Sequence, residues 1–228
     1  MANPDGKKAK PPGIEFYGGY QVYSDSGVDL TMLRRNLERT VEERWESVCR
    51  SACWLNTLGP QRKGSLMFDA PGIVHRLLDQ HVEFVVVGGL AMAAHGSTYL
   101  TKDLDVCYNR ASANLAALVA ALVQLHPYLR GAPPGLPFRL DVPTLQAGLN
   151  FTFSTDLGDL DLLGEVSGLG DYSKVFAQSQ ESAMFGMQVR VLSLDGLIAA
   201  KKAAGRNKDR NHLLELEELK KLREGGPG

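Results

Sequence analysis

An apolar, β-branched run, Glu83-Phe-Val-Val-Val, stops at Gly88-Gly89 and passes without a spacer into Leu90-Ala-Met-Ala-Ala, a stretch of helix formers. Such a run reads as a strand buried on both faces. Two glycines at its end let the chain turn sharply and let backbone amides approach a bound group. The helix starting there aims the positive end of its dipole at the same spot, which suits a phosphate. Glycine at a tight strand-to-helix turn is also a purely structural device, so this turn indicates a function only in company.

The company is Asp103-Leu104-Asp105, at the start of a second strand-like run that continues through Val106-Cys-Tyr. Residues i and i+2 of a strand face the same way, so both carboxylates project together. Like charges this close repel and raise each other's proton affinity unless a cation neutralises them. Mg²⁺, bound by carboxylate oxygens and substrate phosphates, is the usual occupant of such a pair. A third acid, Asp161, lies among the apolar residues of Leu160-Asp-Leu-Leu, where an ionised side chain calls for a partner. If that strand lies beside the first at the ~4.8 Å sheet spacing, three carboxylates converge and can hold two metals roughly 4 Å apart. Asp159 shares the strand face of Asp161 and is the rival third ligand, expected to be more solvated because it is nearer the turn. Asp156 reads as a turn residue.

Around these motifs the chain divides into three. Residues 1–27, rich in Gly, Pro, Lys and Tyr, are expected to form a flexible arm, in which Phe16-Tyr-Gly-Gly-Tyr-Gln-Val-Tyr could add a short strand. Residues 28–60 read as a helical leader, either a hairpin or one bent helix, from the spacing of Leu30, Leu33, Leu37 and Val41 and a capping box at Thr40 and Glu43. Its Arg34, Arg35, Arg39 and Arg44 are expected to form a solvated face rather than an RNA-binding stripe. After the punctuation Gly59-Pro-Gln-Arg-Lys-Gly, residues 66–228 read as an α+β domain, a small mixed sheet flanked by helices. Its helices are expected at Ile73–Leu78, at Ser112–Leu129, and from Leu194 to Glu224 with a break near Gly205-Arg206-Asn207. Phe151–Thr155 and Leu160–Leu163 are expected to pair through the turn at Asp156-Leu-Gly-Asp, and Met184–Leu192 reads as a strand or small hairpin.

Lys+Arg at 25 against Asp+Glu at 26 excludes a chain-wide basic surface, so any nucleic-acid partner must be met by a local patch. No apolar run approaches the roughly 20 residues of a membrane helix, and no apolar stretch follows Met1–Lys8, so the expectation is a soluble cytoplasmic chain with no membrane partner. Cys49, Cys53 and Cys107 lack companions with zinc-site spacing and read as reduced thiols without a catalytic role.

The order Gly88-Gly89, helix, His95-Gly96, Thr101-x-Asp-Leu-Asp-Val, a distant Gly158-x-Leu-Asp-Leu-Leu strand and a late Lys-rich helix resembles the nucleotidyltransferase superfamily, with its DNA polymerase β-like fold. The likeness runs to its small prokaryotic members, minimal nucleotidyltransferases and abortive-infection type toxins of toxin–antitoxin systems. It spans roughly Ile73 to Leu219, with the leader outside. The resemblance implies a nucleotidyltransferase fold and attack of an acceptor hydroxyl on the α-phosphate of an NTP, releasing pyrophosphate. By it, Gly88 and Gly89 form the phosphate-gripping turn, and Asp103, Asp105 and Asp161 hold Mg²⁺ or Mn²⁺, Asp161 doubling as a candidate base. Lys201, followed by Arg206 and Lys208, faces the triphosphate, whereas Lys202 reads equally well as an ordinary helix surface. Where many relatives place an Arg two residues before the Thr, this chain has Tyr99, with Lys102 as the nearby cation. His95 is expected to be a structural hydrogen bonder rather than a base. The implied partners are an NTP, an acceptor that is a tRNA end, a protein hydroxyl or a small molecule, and a cognate toxin or antitoxin chain. An inactive nucleotide-binding or antitoxin-like protein of the same fold is the alternative. A metal-dependent phosphohydrolase or nuclease uses similar acids but explains the Gly-Gly turn less well.

Overall fold

The computed structural model describes residues 15–16, 20–58, 68–133 and 138–225, with the backbone alone at 15, 16, 20, 56, 58 and 208. The expectation of a flexible arm lies, for residues 1–14 and 17–19, outside the described residues, as does the punctuation at 59–64. The chain enters through β1 (Glu15–Phe16) and β2 (Tyr20–Gln21), a short antiparallel pair, and continues into α1 (Leu30–Leu37) and α2 (Val41–Leu58). Then follow α3 (Ala70–Asp79), β3 (Phe84–Val87), α4 (Gly88–Ala94), β4 (Asp103–Tyr108), α5 (Ser112–Val123), β5 (Tyr128–Leu129), α6 (Val142–Ala147), β6 (Asn150–Thr155) and β7 (Gly158–Leu163). The remainder is β8 (Glu165–Val166), β9 (Gly170–Asp171), α7 (Tyr172–Ala177), β10 (Ser179–Met184), β11 (Met187–Leu192), α8 (Leu194–Ala204) and α9 (Asn207–Glu224).

Seven strands make one mixed sheet in the order β10-β11-β3-β4-β7-β6-β5. β11 with β3 and β4 with β7 are parallel; the other neighbours are antiparallel. All four residues of β3 are buried, so both sheet faces are covered there, as its unbroken apolar run requires. In β7 burial alternates: Leu160 and Leu162 are fully buried, while Asp159 and Asp161 lie on the other, half-open face.

The leader is a helical hairpin. Asp29 caps α1 through the Thr31 and Met32 amides, and the capping box forms as expected, with the Glu43 amide donating to Thr40 Oγ1 and the Thr40 amide to Glu43 Oε2. Its apolar residues join the same core as the sheet, and Trp45, fully buried, donates its indole N–H to Leu90 O at 3.0 Å. The solvated-face reading of the arginines fails at Arg44. This side chain is buried and donates to the carbonyls of Asn36, Leu37 and Arg39, at the end of α1, and of Ala94, at the end of α4. A cation there satisfies carbonyls that helix ends leave without partners.

The helix expected to reach Leu129 stops at Val123. Pro127 has no N–H to continue it and disfavours helical geometry at the residue before it; His126 there takes a left-handed φ of 46°. The released Tyr128–Leu129 pairs as β5 with β6, and this brings Arg130 beside the acids. The stretch from Met184 resolves as the second half of a hairpin, turning at Phe185-Gly186. Its first half, β10, escapes a reading of the sequence because Ser-Gln-Glu-Ser-Ala-Met, on the sheet edge, has no apolar alternation. The break between α8 and α9 falls at Gly205, in a left-handed φ of 60°.

Candidate active site

The site forms where β4 and β7 run parallel and in register, Asp103 opposite Asp159 and Asp105 opposite Asp161. Period-two geometry sends all four carboxylates to one face. Asp103, Asp105 and Asp161 each offer an oxygen within 4.8 Å of the other two, a group that could hold a metal ion and that does not include Asp159. Asp159, expected to be solvated, is instead held by Ser154 Oγ at 2.7 Å and by Arg130 Nη1 at 3.0 Å. Burial, then the charges of Asp103 and Asp161, push Asp105 up to about 7. Burial raises Asp161 as well, against the pull of Arg130. Carboxylates driven this way are the donor set that a hard cation relieves, so the residues fit a divalent metal ion.

The Gly-Gly turn closes onto the same acids. Gly88 has a left-handed φ of 62°, and a Cβ there would run into the Asp105 carboxylate. A Cβ on Gly89 would lie 2.5 Å from Thr101 Cβ. The Gly89 amide hydrogen-bonds the Asp105 carboxylate, while Thr101 Oγ1 donates to Asp103 Oδ1 at 2.5 Å. Both glycines are therefore fixed by close approach to the acid strand.

These groups wall a cavity of about 460 Å³. It is also lined by Lys201 and Arg206, two of the three basic residues expected there. Lys201 Nζ lies 3.0 Å from Asp209 Oδ1, and Arg206 Nε lies 2.8 Å from Asp209 Oδ2. Burial works to raise the Asp209 carboxyl, but hydrogen bonds from Arg206 and Lys201 hold it down at about 2. The third expected cation, Lys208, is helical in α9, and its side chain lies outside the described residues. Lys202 points away and pairs with Glu217 at 3.0 Å.

Tyr99, in the position where many members of the resembled family have an arginine, lines the cavity and packs its ring on His212, centroids 4.0 Å apart. Lys102 is exposed and does not replace that arginine. The cation beside the acids is Arg130, whose Nη2 lies 2.5 Å from Asp161 Oδ1 and whose Nη1 lies 3.7 Å from Asp103 Oδ2. Sequence reasoning missed it because Arg130 was read as lying just past a helix; the signal available was Pro127, which ends that helix early. His95 is buried and structural: Nε2–H donates to Leu192 O at 2.8 Å, Nδ1 accepts from Arg223 at 3.1 Å, and burial lowers its pKa to about 4. Among the described residues, no helix is long and apolar enough to cross a membrane.

No protein-family model matches the chain, and no curated protein matches it in sequence. Solved structures do. A protein from Thermotoga maritima described as a nucleotidyltransferase aligns over 65% of this chain and 89% of its own, at 17% identity and a TM-score of 0.43. The lincosamide antibiotic adenylyltransferase LnuA, solved with lincomycin bound, aligns over 67% of this chain and 98% of its own, at 10% identity and a TM-score of 0.41. The antibiotic-resistance factor ANT(2'')-Ia aligns over 68% and 89%, at 14% identity and a TM-score of 0.40.

Proposed function

We propose that this chain is a nucleotidyltransferase, dependent on Mg²⁺ or Mn²⁺, that moves a nucleoside monophosphate from an NTP to an acceptor hydroxyl and releases pyrophosphate. The observation that carries this reading is the convergence of Asp103, Asp105 and Asp161 on one face of the sheet, against the Gly88-Gly89 turn and in one cavity with Lys201 and Arg206. Asp103, Asp105 and Asp161 would hold the cation, which when bound supplies Lewis-acid charge at the α-phosphate and at the acceptor oxygen. Asp161 would take the proton of the acceptor hydroxyl. Lys201 and Arg206 meet the negative charge of the triphosphate, and Asp209 holds both in place. Gly88 and Gly89 let the turn close onto Asp105 and Thr101, which keeps the acids beside the start of α4. The acceptor is an RNA end such as that of tRNA, a protein hydroxyl or a small molecule; the setting is the cytoplasm, with a cognate toxin or antitoxin chain as a partner to seek.

One observation favours an inactive nucleotide-binding protein of the same fold: Arg130 occupies an oxygen of Asp161. A transfer assay separates the two readings. Purified protein with Mg²⁺ or Mn²⁺, each α-labelled NTP and total tRNA, protein or no acceptor is expected to yield labelled acceptor, at a rate at least 100-fold lower in Asp103→Ala. Nucleotide binding without transfer under every condition would establish the inactive protein.

A further inference from the structure

We propose that Arg130 is the resident counter-cation of the acid cluster: its guanidinium holds Asp161 until a divalent cation takes that carboxylate, and it thereby sets how tightly the cation binds. The inference rests on the metal reading above. Four carboxylates, Asp103, Asp105, Asp159 and Asp161, share one face of two adjacent strands, and the guanidinium reaches three of them. Its contacts are not equivalent. Asp161 belongs to the three acids whose oxygens converge, whereas Asp159 does not and has its own bond from Ser154. Asp159 is therefore the anchor, and Asp161 is the contact that can be exchanged.

The backbone around Arg130 fits such a movement. Its amide is tied to Thr152 O at 2.9 Å, at the end of β5, so the point of attachment is fixed and moving the guanidinium requires only rotation about the side chain's own bonds. The guanidinium cannot relieve a crowded positive charge by losing a proton, since it stays protonated at any accessible pH. When a dication enters, the two positive charges compete for Asp161, and the guanidinium yields it while keeping Asp159. Removing the charge must then strengthen cation binding. A purely structural Arg130, needed only to hold Asp161 in place, requires the opposite sign, which makes the direction of the effect diagnostic.

Calorimetric titration of the full chain with Mn²⁺ alone tests this. Arg130→Gln is expected to bind Mn²⁺ about tenfold more tightly than wild type, and Arg130→Lys, which keeps the charge, to stay near wild type. Equal or weaker binding in Arg130→Gln overturns the proposal. Should Arg130→Gln fail to fold, the wild-type protein answers by NMR: adding Mg²⁺ is expected to shift the Arg130 Nε–H resonance, assigned by its absence from Arg130→Lys, and an unmoved resonance overturns the proposal. Asp105→Asn separates the two layers. If it abolishes Mn²⁺ binding while Arg130→Gln leaves the affinity unchanged, the metal reading stands and this one falls; if neither wild type nor Arg130→Gln binds Mn²⁺, both fall.

Discussion

Single residues decide whether the site can exist. Gly88 combines a left-handed φ with a Cβ position that the Asp105 carboxylate fills, so Gly88→Ala is expected to cost on the order of 2 kcal/mol and to push Asp105 away from its neighbours. A thermal melt reads the first effect, and loss of Mn²⁺ binding the second. His95 acts through pH. Its folded pKa of about 4 lies below the unfolded value near 6.5, so the native state binds fewer protons between those limits. Its contribution is complete above pH 6.5 and is lost as pH falls toward 4, by about 3 kcal/mol in all. Asp105, raised to about 7, slopes the other way over much of that range. The His95 effect is therefore read as a difference: in metal-free urea titrations, the stability gap between wild type and His95→Gln is expected to shrink by about 3 kcal/mol from pH 7 to pH 4. At this scale the sequence was legible where chemistry follows local spacing. Asp103 and Asp105 share a face by strand geometry alone, and Asp161 stood out as a charge among leucines. Arg130 was hidden because nothing near it in sequence says that its strand ends beside Asp159; that depends on a pairing with β6.

Elements place those residues, and they were legible in proportion to their own periodicity. α2, with its capping box, and β3, with its apolar run, declare themselves locally. β10 and the residue at which α5 ends do not, since an edge strand needs no apolar alternation and a proline four residues past a helix sets only an approximate limit. The ends of α1 and α4 meet in the Arg44 guanidinium, which accounts for four carbonyls at once. Arg44→Ala is expected to destabilise the protein by about 3 kcal/mol, since buried acceptors lose a charged donor; denaturant unfolding measures it. Arg35→Ala, on the exposed side of α1, is expected to change stability by less than about 0.5 kcal/mol. α9 reaches back in the same way: buried Glu215 accepts from Ser97 Oγ and from the Thr98 amide and hydroxyl, fixing the segment that leads to Tyr99, Thr101 and Asp103.

The described residues share one core, in which Leu30, Leu33, Trp45, Val48 and Ala52 of the leader pack with the residues of the sheet. Unfolding is expected to be a single cooperative transition, with Trp fluorescence and far-UV circular dichroism coinciding along a urea gradient; separated curves would show the leader melting alone. The parallel register of β4 and β7 has a consequence at this scale. Sliding β7 by one residue against β4 would turn Leu160 and Leu162 toward the cavity and drive Asp159 and Asp161 into the apolar interior, where an unpaired carboxylate is prohibitively costly. The alternation that gathers the acids is thus also the chain's proofreading device: a misaligned sheet cannot persist as a stable but inert protein, and a molecule that has folded at all carries its carboxylates in place.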